Sequence, residues 1–333
     1  MIGLLALLCF ALSVGVSWMV KRAGILDHPN SRSSHSAPTP RGGGLGVLAA
    51  LGLVCLFAVS FYGEDEVVAL LVAALGFGLL GLGDDLLALG TRIKFGVIIL
   101  LSVGIVWLAG PVALIGITET MSIELPFWLA LMGCVLWLFV ASNAANFMDG
   151  SDGLIVAAFV PAGLGMFVMA DGGASLVGLA MAAGLAGFAV FNVPRAYLFL
   201  GDVGSLTIGA VFATASLLAI NSGVSVWIYP LLILPILADV LLTLVGKVRN
   251  RIGFLSPHRT HAYQLLLRMG WPHWRVALAY FMASASCAVL AFISETTGGF
   301  VPFLAFVIAV IAATVLHMLV RSMARKAGLD LKA

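Results

Sequence analysis

Residues 127–170 read FWLALMGCVLWLFVAS, then NAANFMDGSDG, then LIVAAFVPAGLGMFVMA. The two flanks are apolar enough to dissolve in lipid. Between them, residues 143–153 set Asn143, Asn146, Asp149 and Asp152 in a chain that has only 15 acidic residues in all. Amide and carboxylate oxygens between two lipid-compatible runs imply chemistry at a membrane surface.

Composition agrees. The 333 residues are 62% hydrophobic and 10% charged, against about 25% charged in an ordinary soluble domain. Mean hydropathy is +1.14. The apolar runs are long and uninterrupted, which excludes the alternating segments of about 10 residues that build an outer-membrane barrel. Cys9, Cys55, Cys134 and Cys287 all lie inside apolar runs at no metal-ligand spacing, so they read as small hydrophobes.

The expectation is an all-α, polytopic membrane helix bundle forming one integral membrane domain over 1–333, with about 11 spans. They fall near 2–20, 44–62, 66–82, 94–110, 126–142, 153–170, 174–192, 203–220, 225–246, 275–294 and 298–320. About 20 residues at 1.5 Å each cross the hydrocarbon core. The first run has no basic residue ahead of it and Lys21 and Arg22 behind it, the pattern of a retained anchor with its N-terminus outside. All 17 Lys and Arg residues fall on one side of this arrangement. The positive-inside rule makes that side, with the C-terminus, cytoplasmic. Glu64, Asp65, Glu66, Glu119, Glu124, Asp171 and Glu295 occupy the opposite loops.

The basic-side loops carry the unusual polar sets. GLGDDLLALGTRIK places Asp84 and Asp85 where a span ends. Adjacent carboxylates call for a cation or a shared proton, and a helix C-terminus is already negative; an acidic helix end is the plainer reading. NAANFMDGSDG offers the hard oxygen ligands that magnesium takes, although Asp152 also suits a helix cap. YLFLGDVGSLTIG sets Asp202 at a helix start, where free amides favour an anion or the acid itself. RIGFLSPHRTHAYQ supplies His258 and His261 amid Arg249, Arg251 and Arg259. Histidines three apart can share a helical face and bind metal or move protons, while the arginines alone suit an anionic lipid surface. DHPNSRSSHSAPTPRGGGLG joins Asp27, Arg32 and His35 to a glycine-rich turn that could cradle phosphate or serve as a linker. Asp239, two turns inside the ninth run, is costly in lipid and should face the bundle interior.

In order along the chain, GDD (83–85), NAANFMDG (143–150), FLGDVGS (199–205) and HRTH (258–261) resemble the motifs of the polyprenyl-phosphate N-acetylhexosamine-1-phosphate transferases. The resemblance implies a Mg2+-dependent phosphotransferase, with Mn2+ as the alternative ion. It would move an N-acetylhexosamine 1-phosphate from a UDP-sugar to undecaprenyl phosphate and release UMP. It makes Asp202 the principal metal ligand, with Asn146 near the metal. Asp84 would deprotonate or orient the lipid phosphate, with Asp85 beside it. Asp149 and Asp152 would bind nucleotide or shape the metal site, and His258 and His261 match the outer members of the family's histidine cluster. Asn143, Arg195, Arg259, Arg32 and His35 complete the expected catalytic and substrate-binding set. HRTH departs from the consecutive histidines of the peptidoglycan enzyme and leans toward initiators of O-antigen and related glycans that use deoxy N-acetyl sugars. The implied setting is a bacterial inner membrane with the site on the cytoplasmic face, a homodimer as an assembly, and no nucleic-acid partner. The leading alternative of another class is a secondary transporter of a polar or phosphorylated solute. Transporters place polar residues near the bilayer midplane, whereas here nearly all lie at one surface. A phosphatidyltransferase would need a compact Asp/Gly/Ala-Arg signature that this sequence lacks.

Overall fold

The computed structural model describes residues 2–24, 26–27, 38–58, 63–118, 120–250 and 259–331. Arg32, His35, Arg251 and His258 lie outside the described residues.

Lipid offers backbone amides no partner, so apolar runs must satisfy their hydrogen bonds internally, as helices. The expected runs do so. After α1 (Ile2–Ala23) come a short ladder of β1 (Leu26–Asp27) and β2 (Thr39–Pro40), then α2 (Gly44–Ala58) and α3 (Glu64–Leu71). A π-helical turn, Val72–Gly76, joins α3 to α4 (Phe77–Leu87). Then come α5 (Thr91–Ala109), a hairpin of β3 (Leu114–Gly116) and β4 (Ser122–Glu124), α6 (Phe127–Met148), α7 (Leu154–Met169), α8 (Gly172–Asn192) and α9 (Asp202–Asn221). The chain closes with α10 (Ile228–Leu232), α11 (Leu234–Arg249), α12 (Ala262–Arg268), α13 (His273–Thr297) and α14 (Val301–Lys326).

Among the described residues, eight helices are long and apolar enough to cross a membrane. The expected second and sixth spans are the shorter apolar helices α2 and α7. The expected ninth span is not one helix but two, α10 and α11, broken at Ile233. Pro235 explains the break: it has no N–H to continue a helix, yet it suits the first turn of a new one. The third segment runs further than expected, so Asp84 and Asp85 sit in the last turn of α4.

The bundle is built around α9. Its apolar window is 94% buried, enclosed by α2, α4, α6 and α8, whereas α1 and α14 are peripheral at 17%. Two ends are distinct. At one, Asn221 Nδ2 reaches Gly110 O (3.2 Å), Trp227 Nε1 donates to Gly116 O (2.7 Å), and Ser225 N donates to Glu295 (3.2 Å). Trp107, Phe127 and Trp128 form an edge-to-face row near that end, the composition of an interfacial aromatic belt. The connections carrying the motif acids converge at the other.

Candidate functional site

The site begins with how α9 starts. Gly201 has φ +78 and turns the chain into the helix. A Cβ there would lie 2.6 Å from Asp85 Oδ2, so the position needs glycine for both conformation and space. Asp85 uses that proximity. Its Oδ1 accepts from Asp202 N and its Oδ2 from Val203 N, both at 3.1 Å. It is a cap supplied from another helix, satisfying amides that the first turn of α9 leaves open.

Asp84 points elsewhere. Its Oδ2 receives the Lys94 ammonium at 2.8 Å, and the same ammonium donates to Asn146 Oδ1 at 3.1 Å and to Asp202 Oδ2. Asn146 is held in turn by its Nδ2, which donates to Ser205 Oγ at 3.0 Å. Three connections that are remote in sequence therefore aim oxygens at one cationic point. Lys94 lies in the first turn of α5, where the helix dipole disfavours a cation; the two carboxylates offset that cost.

Asp202 joins this point to a polar cleft of about 220 Å3, which it lines with Asp85, Asp149, Asp152, Asn192, Arg41 and Arg259 among others; Asp84, Lys94 and Asn146 lie outside that lining. Arg41 is placed by backbone pairing between distant loops. Phe199 N donates to Pro40 O at 2.8 Å and Gly43 N to Phe199 O at 2.9 Å. The guanidinium then lies 3.7 Å from Asp27 and 3.8 Å from Asp85. Asp149 follows the end of α6. Burial, and then the nearby charges of Asp202 and Asp85, push its carboxyl well above the ordinary carboxylate range. Asp152 accepts from Ala196 N at 3.0 Å and lies 3.6 Å from His273 Nδ1. That nitrogen accepts from Asp152 N at 3.1 Å, which leaves the ring proton on Nε2.

Not every expected residue reaches the cleft. Asn143 is buried in α6, its Nδ2 donating to Phe139 O at 2.7 Å; its Oδ1 has no hydrogen-bond partner among the described residues. Arg195 is exposed and outside the cleft lining. His261 is buried, caps α12 through its pairing with Gln264, and lies 3.7 Å from Asp239. It precedes α12 rather than lying on a helical face. Lys94, Arg41, Asn192 and His273 were not expected from the sequence. Only Lys94 carried a local signal, a cation that with Arg92 falls in the first turn of a helix.

The donor set suits a magnesium ion. Among the described residues, no three His, Cys, Asp or Glu side chains gather as a metal cage. Magnesium does not need one: it takes one or two carboxylates, water and substrate phosphate oxygens. Asp84, Asp202 and the Asn146 amide oxygen, which here meet the Lys94 ammonium, would supply that partial shell.

A second cavity, apolar and about 550 Å3, lies between α11, α13 and α14. Leu234, Leu290, Ile308 and Leu316 line it, with Asp239, Tyr280 and His317 among its few polar groups.

Residues 67–220 match the family described as glycosyl transferase family 4. Over that span, just under half of the chain, the sequence resembles this family. The matched span runs from α3 to α9 and contains Asp84, Lys94, Asn146 and Asp202. The chain is 29% identical to a probable undecaprenyl-phosphate N-acetylglucosaminyl 1-phosphate transferase of Bacillus subtilis, over 78% of this chain and 75% of that protein. It is also 29% identical to a phospho-N-acetylmuramoyl-pentapeptide-transferase of Halalkalibacterium halodurans, over 81% and 87%. A decaprenyl-phosphate N-acetylglucosaminephosphotransferase of Mycobacterium leprae is 29% identical over 85% and 80%.

Proposed function

We propose that this chain is a family 4 transferase, which moves an N-acetylhexosamine 1-phosphate from a UDP-sugar to a polyprenyl phosphate, of the undecaprenyl type, at the cytoplasmic face of a bacterial inner membrane. The observation that carries the reading is the convergence of Asp84, Asn146 and Asp202 on the Lys94 ammonium beside a cleft holding both acids and arginines. An oxygen of the acceptor phosphate attacks the sugar-bearing phosphorus, the bond from that phosphorus to the bridging oxygen of UMP breaks, and UMP leaves with the electron pair.

A divalent magnesium bound by Asp202, Asn146 and Asp84 would neutralise charge on the diphosphate and on the departing UMP. Lys94 then moves from the carboxylates toward phosphate oxygens, keeping its charge paired. Arg41 and Arg259 hold nucleotide phosphates against the cleft. Asp84 orients the acceptor phosphate and takes any proton it retains. With a second pKa near 6, that phosphate is largely ionised at pH 7, so positioning and charge cancellation dominate the barrier. The apolar cavity between α11, α13 and α14 suits the lipid tail. A deoxy N-acetyl sugar, and initiation of O-antigen or a related envelope glycan, is the finer reading that HRTH favours.

The deciding experiment incubates the purified protein with polyprenyl phosphate and a panel of radiolabelled UDP-sugars. Magnesium-dependent UMP release and a lipid-diphosphate-sugar in the mass spectrum are expected. Absence of UMP release with every donor would refute the reading.

A further inference from the structure

A carboxylate buried inside a protein is costly unless it is paired and hydrogen-bonded. Asp239, on α11, is 3% exposed and takes donors from α12, α13 and α11 itself. Its Oδ1 accepts from Ala262 N at 2.6 Å and its Oδ2 from Tyr263 N at 3.2 Å. Tyr280 OH of α13 donates to it at 2.6 Å and Thr243 reaches it at 3.4 Å. The His261 and His317 rings each bring Nδ1 to 3.7 Å. The two amides are the first of α12, so a residue inside the bundle pins the start of a helix at the bundle's end.

That helix separates the two cavities. Tyr263, Gln264 and Leu267 line the polar cleft, while Ala262 and Leu266 line the apolar groove. Tyr263 carries the connection onward. Burial pushes its phenol above its ordinary value, so it stays a donor, and it donates to Phe147 O at 3.1 Å. Its hydroxyl also fills the space beside Gly150, where a Cβ would lie 2.1 Å away. Asp239, α12, Tyr263 and the turn bearing Asp149 thus form one chain of contacts.

We propose that Asp239 is a positioning residue, which by gripping the first amides of α12 sets the wall shared by the cleft and the groove and, through Tyr263, the turn that bears Asp149. The proposal rests on the transferase reading for its kinetic consequence, though not for the contact chain.

The test compares Asp239→Asn, Asp239→Glu and Tyr263→Phe with wild type in the full-length protein purified in nanodiscs. Hydrogen exchange by mass spectrometry reads the contact chain without any assay of turnover. Asp239→Asn should speed exchange in peptides covering 259–270 and leave those from α9 unchanged. Kinetics should show KM for the UDP-sugar raised about tenfold, equivalent to about 1.4 kcal/mol, in both Asp239→Asn and Tyr263→Phe. The double variant should be no worse than either single one, because both cut the same chain. Asp239→Glu, which keeps both acceptor oxygens, should recover part of the loss. Unchanged exchange over 259–270, or additive KM effects, overturns the proposal. If exchange rises everywhere in Asp239→Asn, Tyr263→Phe decides alone: an unchanged KM overturns it. If wild type releases no UMP while local exchange still rises, the transferase reading fails and the anchoring role stands.

Discussion

Asp84 and Asp85 share a peptide bond and serve different partners. Asp84 holds the Lys94 ammonium at 2.8 Å, whereas both oxygens of Asp85 are taken at 3.1 Å by the first amides of α9. One carboxylate faces charge; its neighbour holds a helix in place.

Substitution should separate the two. Asp85→Ala strands two buried amides, a loss of about 1–3 kcal/mol, and should lower the thermal midpoint in detergent. Asp84→Ala leaves Lys94 with Asp202 and Asn146 and should melt close to wild type, while UMP release falls steeply. Equal midpoints for the two variants would contradict the assignment.

Asp202→Ala should abolish magnesium-dependent turnover while the protein still elutes as a folded, monodisperse species. Full activity in that variant would refute its place as the central oxygen ligand.

Lys94 occupies the point a divalent cation would share. In Lys94→Met, three oxygens lose their counter-charge, so magnesium should raise the thermal midpoint more than it does in wild type. A ligand at about a hundred times its Kd stabilises by about 2.7 kcal/mol. A magnesium-induced shift smaller than that of wild type would show that the lysine and the ion do not compete.

Gly201→Ala puts a side chain at φ +78 and 2.6 Å from Asp85. With ψ 168 this is backbone that essentially only glycine adopts, at a cost of roughly 1–3 kcal/mol to another residue, and displacing Asp85 adds to that. Both a lower melting point and lost activity are expected, since the first turn of α9 carries Asp202. A wild-type melting curve would show that the turn relaxes freely.

The sequence alone determined that the chain is a membrane helix bundle, because apolar runs in lipid have no other way to pair their amides. It also grouped the motif acids, since they share their loops with the basic residues, and it carried ordered motifs that resemble those of a transferase family. Local pattern could not reveal the break at Ile233 as more than a proline among apolar residues. Nor could it separate Asp84 from Asp85, because their partners lie on α5 and α9. Lys94 and Asp202 are 108 residues apart, and Asp239 caps a helix 23 residues downstream. Those pairings, with the retreat of His261 from the cleft, were decided by tertiary structure. Periodicity records which face of a helix is apolar, whereas a contact between polar side chains depends on where two helices end in space.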